Sequence, residues 1–135
     1  PGRLTKDEFE IMKSHTEIGY NILKDSESAV LKEGAAIALS HHENFDGSGY
    51  PKGLAGEKIP IGSRICKIAD VFDALINKRI YKPAYTLEET LGIMKDEMQP
   101  GKTFDHDCFN AFLKGMDEIL DIRQKIDAGI FPQNK

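Results

Sequence analysis

The sequence has 135 residues, 40% of them hydrophobic and 30% charged, with a formal net charge of -4. That is enough apolar material for one domain with its own core, and the acidic balance excludes long nucleic acids, which demand a clustered excess of Lys and Arg. A small phosphorylated ligand held by a few cations stays open. Apolar runs fall short of the roughly 20 residues that span a bilayer and no signal peptide opens the chain, so a soluble, cytoplasmic protein without membrane contact is expected. Cys66 and Cys108 are far apart, lack a CxxC partner and sit in apolar helical patterns, which predicts buried, reduced thiols.

Helical periodicity runs along almost the whole chain. Pro1 falls in what reads as a turn, and the start has the look of a cut end. Thr5 is placed to cap a helix, and Glu8 three positions later completes a capping box. Phe9 and Met12, then Ile18, Ile22 and Leu23, recur at helical spacing, with a break or bend expected at residues 14–17. A third helix carries Val30, Leu31, Ala35, Ala38 and Leu39 into His41 and His42. From Asn44 to Pro60 the glycines and prolines Gly47, Gly49, Pro51, Gly53, Gly56 and Pro60 predict a loop, since no regular element tolerates so many breakers. Helix resumes near Ile61 and carries Ile65, Ile68, Ala69, Phe72 and Leu75 to about Asn77, where a basic connector begins. Thr86 with Glu89 opens another helix through Leu91, Met94 and Met98, stopped by Pro100 and Gly101. Asp105 caps a last long helix whose apolar face includes Phe109, Phe112, Leu113, Met116, Ile119 and Leu120. The prediction is an all-α domain of about six helices over residues 1–128, with a long Gly/Pro-rich loop and a tail at 129–135.

Four histidines stand in the chain, and His41 and His42 are adjacent at a helix-to-loop boundary. Neighbouring helical residues point about 100° apart, so such a pair serves two neighbouring metal ions more readily than it chelates one. A surface pair or a cap is the blander alternative. The following loop holds Tyr50, Pro51, Leu54, Ile59 and Pro60, too apolar for a floppy linker, and is expected to form one wall of a ligand site. Asp70 sits in an otherwise apolar helical segment, where a buried carboxylate is costly unless paired or bound to a cation; Asp73 lies one turn on, on nearly the same face. A salt bridge or cap is the alternative for Asp70. Together with the histidines, it offers a donor set suited to iron, manganese or another first-row metal. His15 offers a third imidazole, or is an ordinary half-buried histidine. Lys78, Arg79 and Lys82, with Tyr81 between them, form either a solvated basic loop or a phosphate clamp in which Arg79 grips with two parallel N–H bonds and Lys82 adds a point charge. A metal site beside a phosphate clamp is the minimum set for metal-assisted phosphoester hydrolysis.

Residues 41–60, HHENFDGSGYPKGLAGEKIP, resemble the GYP signature of HD-GYP domains, in which HHE is followed after two residues by DGxGYP. PGRLTKDEFEIMKSHTEIGYNIL, RICKIADVFDAL, RIYKPAYTLEET and GKTFDHDCFNAFL resemble the flanking segments of that family, so that the similarity covers residues 1–120. The resemblance implies an α-helical HD-superfamily fold with two or three divalent metal ions, often iron or manganese. It also implies hydrolysis of the bacterial second messenger cyclic di-GMP to pGpG or GMP, and signalling partners of the GGDEF type. Carried over by position, His15, His41, His42 and Asp70 are metal ligands. Asp73 is a catalytic acidic position beside them, and Arg79 and Lys82 are catalytic and substrate-binding cations. Tyr50 and Pro51, with Asp46, Gly47 and Gly49, belong to a loop that contacts ligand or partner.

Two departures accompany the resemblance. The family's adjacent His-Asp pair would lie upstream of Pro1, and His106-Asp107 falls in the wrong segment to replace it. Where the family usually reads TSDRPYK, this chain reads INKRIYK, and among the changes the acidic residue has become Lys78 and the Pro has become Ile80. Residues 1–135 alone are therefore expected to bind metal weakly and turn over little, and an apolar face left open by a cut would favour a homodimer. A degenerate module that binds cyclic di-GMP or a partner without hydrolysis, and a phosphohydrolase of the same superfamily acting on another nucleotide, are the competing readings.

Overall fold

Reciprocal side-chain caps start two of the helices. In the computed structural model, which describes residues 5–78 and 83–130, the Glu8 amide donates to the Thr5 hydroxyl at 3.2 Å and the Thr5 amide donates to the Glu8 carboxylate at 2.7 Å. This box opens α1 (Lys6–Lys13). Ser14 ends α1: its hydroxyl donates to the Ile11 carbonyl at 2.6 Å, competing with the backbone, and α2 (His15–Leu23) begins at the next residue. α3 (Ala29–Ser40) packs along α2, and Gly19 permits the approach, because a Cβ there would stand 3.2 Å from the Ala38 Cβ.

A loop with one 3-10 turn (Gly56–Lys58) leads into α4 (Ile61–Ile76), which packs on α3. The Ser63 hydroxyl, fully buried, donates to the Ala36 carbonyl at 3.3 Å across that contact. The second predicted capping box, Thr86 with Glu89, opens α5 (Leu87–Gly92), which continues as a π-turn over Ile93–Glu97. α6 (His106–Lys114) is capped by Asp105, whose carboxylate accepts from the Cys108 amide at 2.9 Å. The single long helix expected after Asp105 is divided: at Gly115 the backbone relaxes to φ -88, ψ 9, and α7 (Met116–Asp127) starts anew. Glycine is the residue least held to helical angles, and here the chain uses it as a joint. No strand forms among the described residues, where only the isolated bridges Asp46–Ala55 and Pro100–Phe104 occur, and the expected all-α architecture is observed.

The core gathers on one side of α4. Ile68, Phe72 and Ile76 meet Met94, Phe104 and Phe109, with the Phe104 and Phe109 rings stacked at 5.3 Å and Phe112 edge-on to Phe72 at 5.2 Å. A buried ion pair joins α4 to the start of α6, with Arg64 Nη1 2.6 Å from Asp105 Oδ2. Burial pushes the Asp105 carboxyl up, but the Cys108 amide and the Arg64 guanidinium together hold it below its ordinary range. Cys66 and Cys108 are free and half-buried rather than fully buried, and burial raises both thiols. The N-terminal helices contribute little to this core. Ile11, Ile18, Ile22 and Val30 stand exposed, and Thr16 is the buried residue of α2. No helix among the described residues is long and apolar enough to cross a membrane.

Candidate metal centre

The break at Ser14 places His15 at the first position of α2, and the end of α3 at Ser40 places His41 at its C-cap. Each ring is then oriented by the backbone beside it. His15 Nδ1–H donates to the Met12 carbonyl at 2.7 Å, and His41 Nδ1–H donates to the Ala38 carbonyl at 2.9 Å, with the Ile37 carbonyl at 3.1 Å. A carbonyl accepts only from a protonated nitrogen, so both neutral rings carry their proton on Nδ1 and a lone pair on Nε2. Those two Nε2 atoms face each other at 3.3 Å. Two lone pairs at that distance repel unless a cation lies between them. Nitrogens bound about 2.1 Å from one ion stand that far apart when they subtend roughly 100°, so the pair fits a first-row divalent metal.

His42 completes the group: His15, His41 and His42 each offer a ligand atom, all within 4.8 Å of one another. The pair His41 and His42, at the helix-to-loop boundary, was expected to point about 100° apart. His41 still has helical dihedrals as the C-cap of α3, His42 follows in the turn, and their ring centroids are 4.1 Å apart. Burial, then the neighbouring His41, Lys67 and His15, push the His42 pKa down to about 4 against the opposing pull of Asp70. At neutral pH the ring is therefore uncharged and its lone pair is available, as metal coordination requires.

The Gly/Pro-rich loop is held against this cluster by a residue the sequence reading did not single out. Glu43, 2% exposed, accepts from the Lys52 amide at 2.8 Å and the Leu54 amide at 3.0 Å, folding the loop back on the end of α3. Its sequence signal was available: an acid directly after the histidine pair and before a loop full of unpaired amides. Gly49 must be glycine because a Cβ there would fall on the Asn44 nitrogen and the Glu43 backbone. Gly47 takes φ +85, a left-handed turn. The Asp46 amide donates to the Lys102 carbonyl at 2.9 Å, tying the loop to the turn before α6. So held, Tyr50 stacks on His42 with centroids 4.8 Å apart, meets the Phe9 edge at 6.2 Å and lies 5.5 Å from the Lys13 ammonium. Burial, then Asp70, raises the Tyr50 phenol, so it stays neutral at pH 7. Pro51 joins Tyr50, Glu10, Lys13, Ser14 and Glu17 around a shallow recess of about 220 Å³.

The remaining expected site residues fall in different places. Asp70 is exposed, not buried as its apolar surroundings suggested, because residues 69 and 70 turn away from the core face of α4 defined by Ile68, Phe72 and Ile76. Its charge acts on His42, Tyr50 and Lys67, but its carboxylate is not among the ligand atoms that lie within 4.8 Å of one another, which come from the three histidines. Asp73 is not drawn to the histidines. Three helical positions leave it about 60° from Asp70, where it accepts from Asn77 Nδ2 at 2.5 Å, and Asn77 Oδ1 in turn accepts from Arg123 at 2.9 Å. Asp73 also borders an apolar groove of about 590 Å³ lined by Ile65, Phe72, Phe112 and Ile119, with no histidine in it. Arg79, Tyr81 and Lys82, the proposed phosphate clamp, lie outside the described residues. His106 and Asp107 are exposed, 3.7 Å apart, in α6.

A family model described as an HD domain matches residues 1–107. The chain is 48% identical over 122 residues to a cyclic di-GMP phosphodiesterase response regulator of Xanthomonas campestris, covering 90% of this chain and 32% of that protein. It is 48% identical over 125 residues to a cyclic di-GMP phosphodiesterase of Thermotoga maritima, covering 93% and 33%. A 3'3'-cGAMP-specific phosphodiesterase of Vibrio cholerae is 41% identical over 128 residues, covering 93% and 24%. The chain thus spans a third or less of the length of these curated relatives.

Proposed function

Because this chain belongs to the HD domain family, we propose that it is the metal-binding part of a phosphodiesterase that hydrolyses cyclic di-GMP. The observation that carries this reading is the pair of Nε2 atoms 3.3 Å apart, each ring fixed by its own Nδ1–H bond to a carbonyl. An imidazole pair oriented in this way is prepared for a cation. His15, His41 and His42 hold a divalent ion, iron or manganese, and Asp70 adds an oxygen donor from the rim. When bound, such an ion acts as a Lewis acid on a phosphoryl oxygen and lowers the pKa of water.

The chain's own groups bind and orient the nucleotide. Tyr50, stacked on His42 and backed by the Glu43 staple, presents with Pro51 an apolar wall beside the cluster. Arg79 and Lys82 clamp phosphate from the connector. Asp73 acts as a positioning residue: through Asn77 and Arg123 it fixes the end of α4, from which that connector departs. Cyclic di-GMP is favoured over 3'3'-cGAMP because the two 48% identical relatives are named for it, whereas the cGAMP enzyme is 41% identical.

The test is metal analysis of the full-length protein together with a cyclic di-GMP cleavage assay resolving pGpG from GMP, run beside 3'3'-cGAMP. Cleavage should require iron or manganese, stop on chelation, and fall at least about a hundredfold in His15→Ala and His41→Ala. Cleavage that survives chelation or either substitution would refute the metal assignment. Tight binding of cyclic di-GMP without cleavage would replace the enzyme by a binding module.

A further inference from the structure

The recess at the start of α2 adjoins the imidazole cluster through one side chain. Tyr50 stacks on His42 at 4.8 Å and also borders the recess, together with Pro51. Ser14, the residue before His15, lines it as well. Its volume of about 220 Å³ is below the roughly 300–1,000 Å³ that a drug-sized ligand fills, so it suits one nucleobase rather than a whole cyclic dinucleotide. The charged lining is two carboxylates and one ammonium, a balance that repels phosphate. Lys13 Nζ lies 2.7 Å from Glu10 Oε1, which offsets that pair, and the Ser14 hydroxyl donates to the Ile11 carbonyl. Glu17 has no hydrogen-bond or ion-pair partner among the described residues. An ionised carboxylate only accepts hydrogen bonds, so the ligand edge that matches it carries adjacent N–H donors. Guanine has that edge in N1–H and its 2-amino group, and its O6 and N7 are acceptors for Lys13. Adenine sets an unprotonated N1 against the carboxylate and has no 2-amino group. Tyr50 and Pro51 give the base an apolar surface.

We propose that this recess is a guanine subsite, in which the Glu17 carboxylate accepts from N1–H and the 2-amino group and so sets the base specificity of the enzyme. This rests on the cyclic di-GMP phosphodiesterase reading and names the group that selects the base. One subsite reads one base. The mixed dinucleotide 3'3'-cGAMP satisfies it by placing its guanine there, whereas cyclic di-AMP has no guanine to place. Glu17 also stands in the first turn of α2, where a negative charge favours the helix. A residue with that role alone would change stability on substitution and leave base preference untouched.

The experiment compares full-length wild type with Glu17→Gln and Glu17→Asp on cyclic di-GMP, 3'3'-cGAMP and cyclic di-AMP. Affinity is read as KM for each nucleotide that is cleaved and as Kd by calorimetry for each that is not, with melting temperature as the control for folding. Wild type should favour cyclic di-GMP over cyclic di-AMP at least about tenfold, with 3'3'-cGAMP within about threefold of cyclic di-GMP because one guanine suffices. Glu17→Gln should weaken cyclic di-GMP about tenfold, with kcat less affected. It should also tighten cyclic di-AMP, since an amide accepts from the adenine 6-amino group and donates to N1. Glu17→Asp, which keeps the carboxylate, should keep the order of preference. Both variants should melt within about 3 °C of wild type, as expected for one exposed charge at a helix start. Equal affinities of wild type for cyclic di-GMP and cyclic di-AMP, or a Glu17→Gln variant with the wild-type preference, would overturn the subsite and leave the enzyme reading standing. A wild-type protein that neither binds nor cleaves cyclic di-GMP would instead overturn the phosphodiesterase reading, and this proposal with it.

Discussion

Replacing Glu43 by Ala takes one acceptor group away from two backbone amides at once. The bonds are 2.8 Å from the Lys52 amide and 3.0 Å from the Leu54 amide, both to a carboxylate that is 2% exposed. A hydrogen bond to a charged acceptor contributes about 1.5–3 kcal/mol. Lys52 is exposed, so its amide recovers much of that from water and costs about 1 kcal/mol; Leu54 is half-buried and costs about 2 kcal/mol. The sum of about 3 kcal/mol corresponds, for a chain of this size, to a fall of about 10 °C in melting temperature. Glu43→Gln retains one acceptor oxygen but sets an NH2 group against a backbone donor, so it should recover only about 1 kcal/mol of this. The loop it releases carries Tyr50, and His42 immediately precedes Glu43, so Mn²⁺ affinity should fall together with stability. The assay is a melt followed by far-ultraviolet circular dichroism, paired with Mn²⁺ titration of each variant. If Glu43→Ala melts within about 2 °C of wild type and binds Mn²⁺ equally well, the staple is not what holds the loop. The Asp46 bond to Lys102 and the glycine contacts would then suffice.

Gly49→Ala should cost about 2–3 kcal/mol, because the new methyl meets the backbone of Glu43 and Asn44 rather than a movable side chain. Gly92→Ala, in α5 with open space around it and no left-handed φ, should be neutral or slightly stabilising; equal melting temperatures for the two variants would refute the close-packing argument. The metal-free protein should lose stability as the pH falls from about 6.5, where an unfolded histidine titrates, to about 4, where folded His42 does. Within that window the unfolded chain takes up a proton that the folded ring refuses, and above it both states are neutral. The full shift would be worth about 3 kcal/mol, and about half that once solvent on the open side of the ring is allowed for. Urea unfolding between pH 7.5 and pH 4 should show this slope in wild type and a shallower one in His42→Gln; identical slopes would refute it.

What could be read from the chain alone was whatever is decided within a helical turn or two. The Thr5–Glu8 and Thr86–Glu89 boxes, the Asp105 cap and the break at Ser14 are local hydrogen bonds between residues at most three apart, and each is present. The breakers between Asn44 and Pro60 marked the loop for the same reason, and the motif spelling pointed to the family. The tertiary structure decided which groups meet. His15 and His41 are 26 positions apart and face each other only because α2 packs along α3. The sequence presented Asp70 and Asp73 as one acidic pair. Rotation about α4 and the bond to Asn77 separate them, leaving Asp70 exposed and Asp73 beside the apolar groove. The buried position of Glu43 was equally hidden, because it depends on where the Lys52 and Leu54 amides arrive. Hydrogen bonds inside one turn follow from neighbouring residues, whereas the convergence of side chains follows from how whole helices pack.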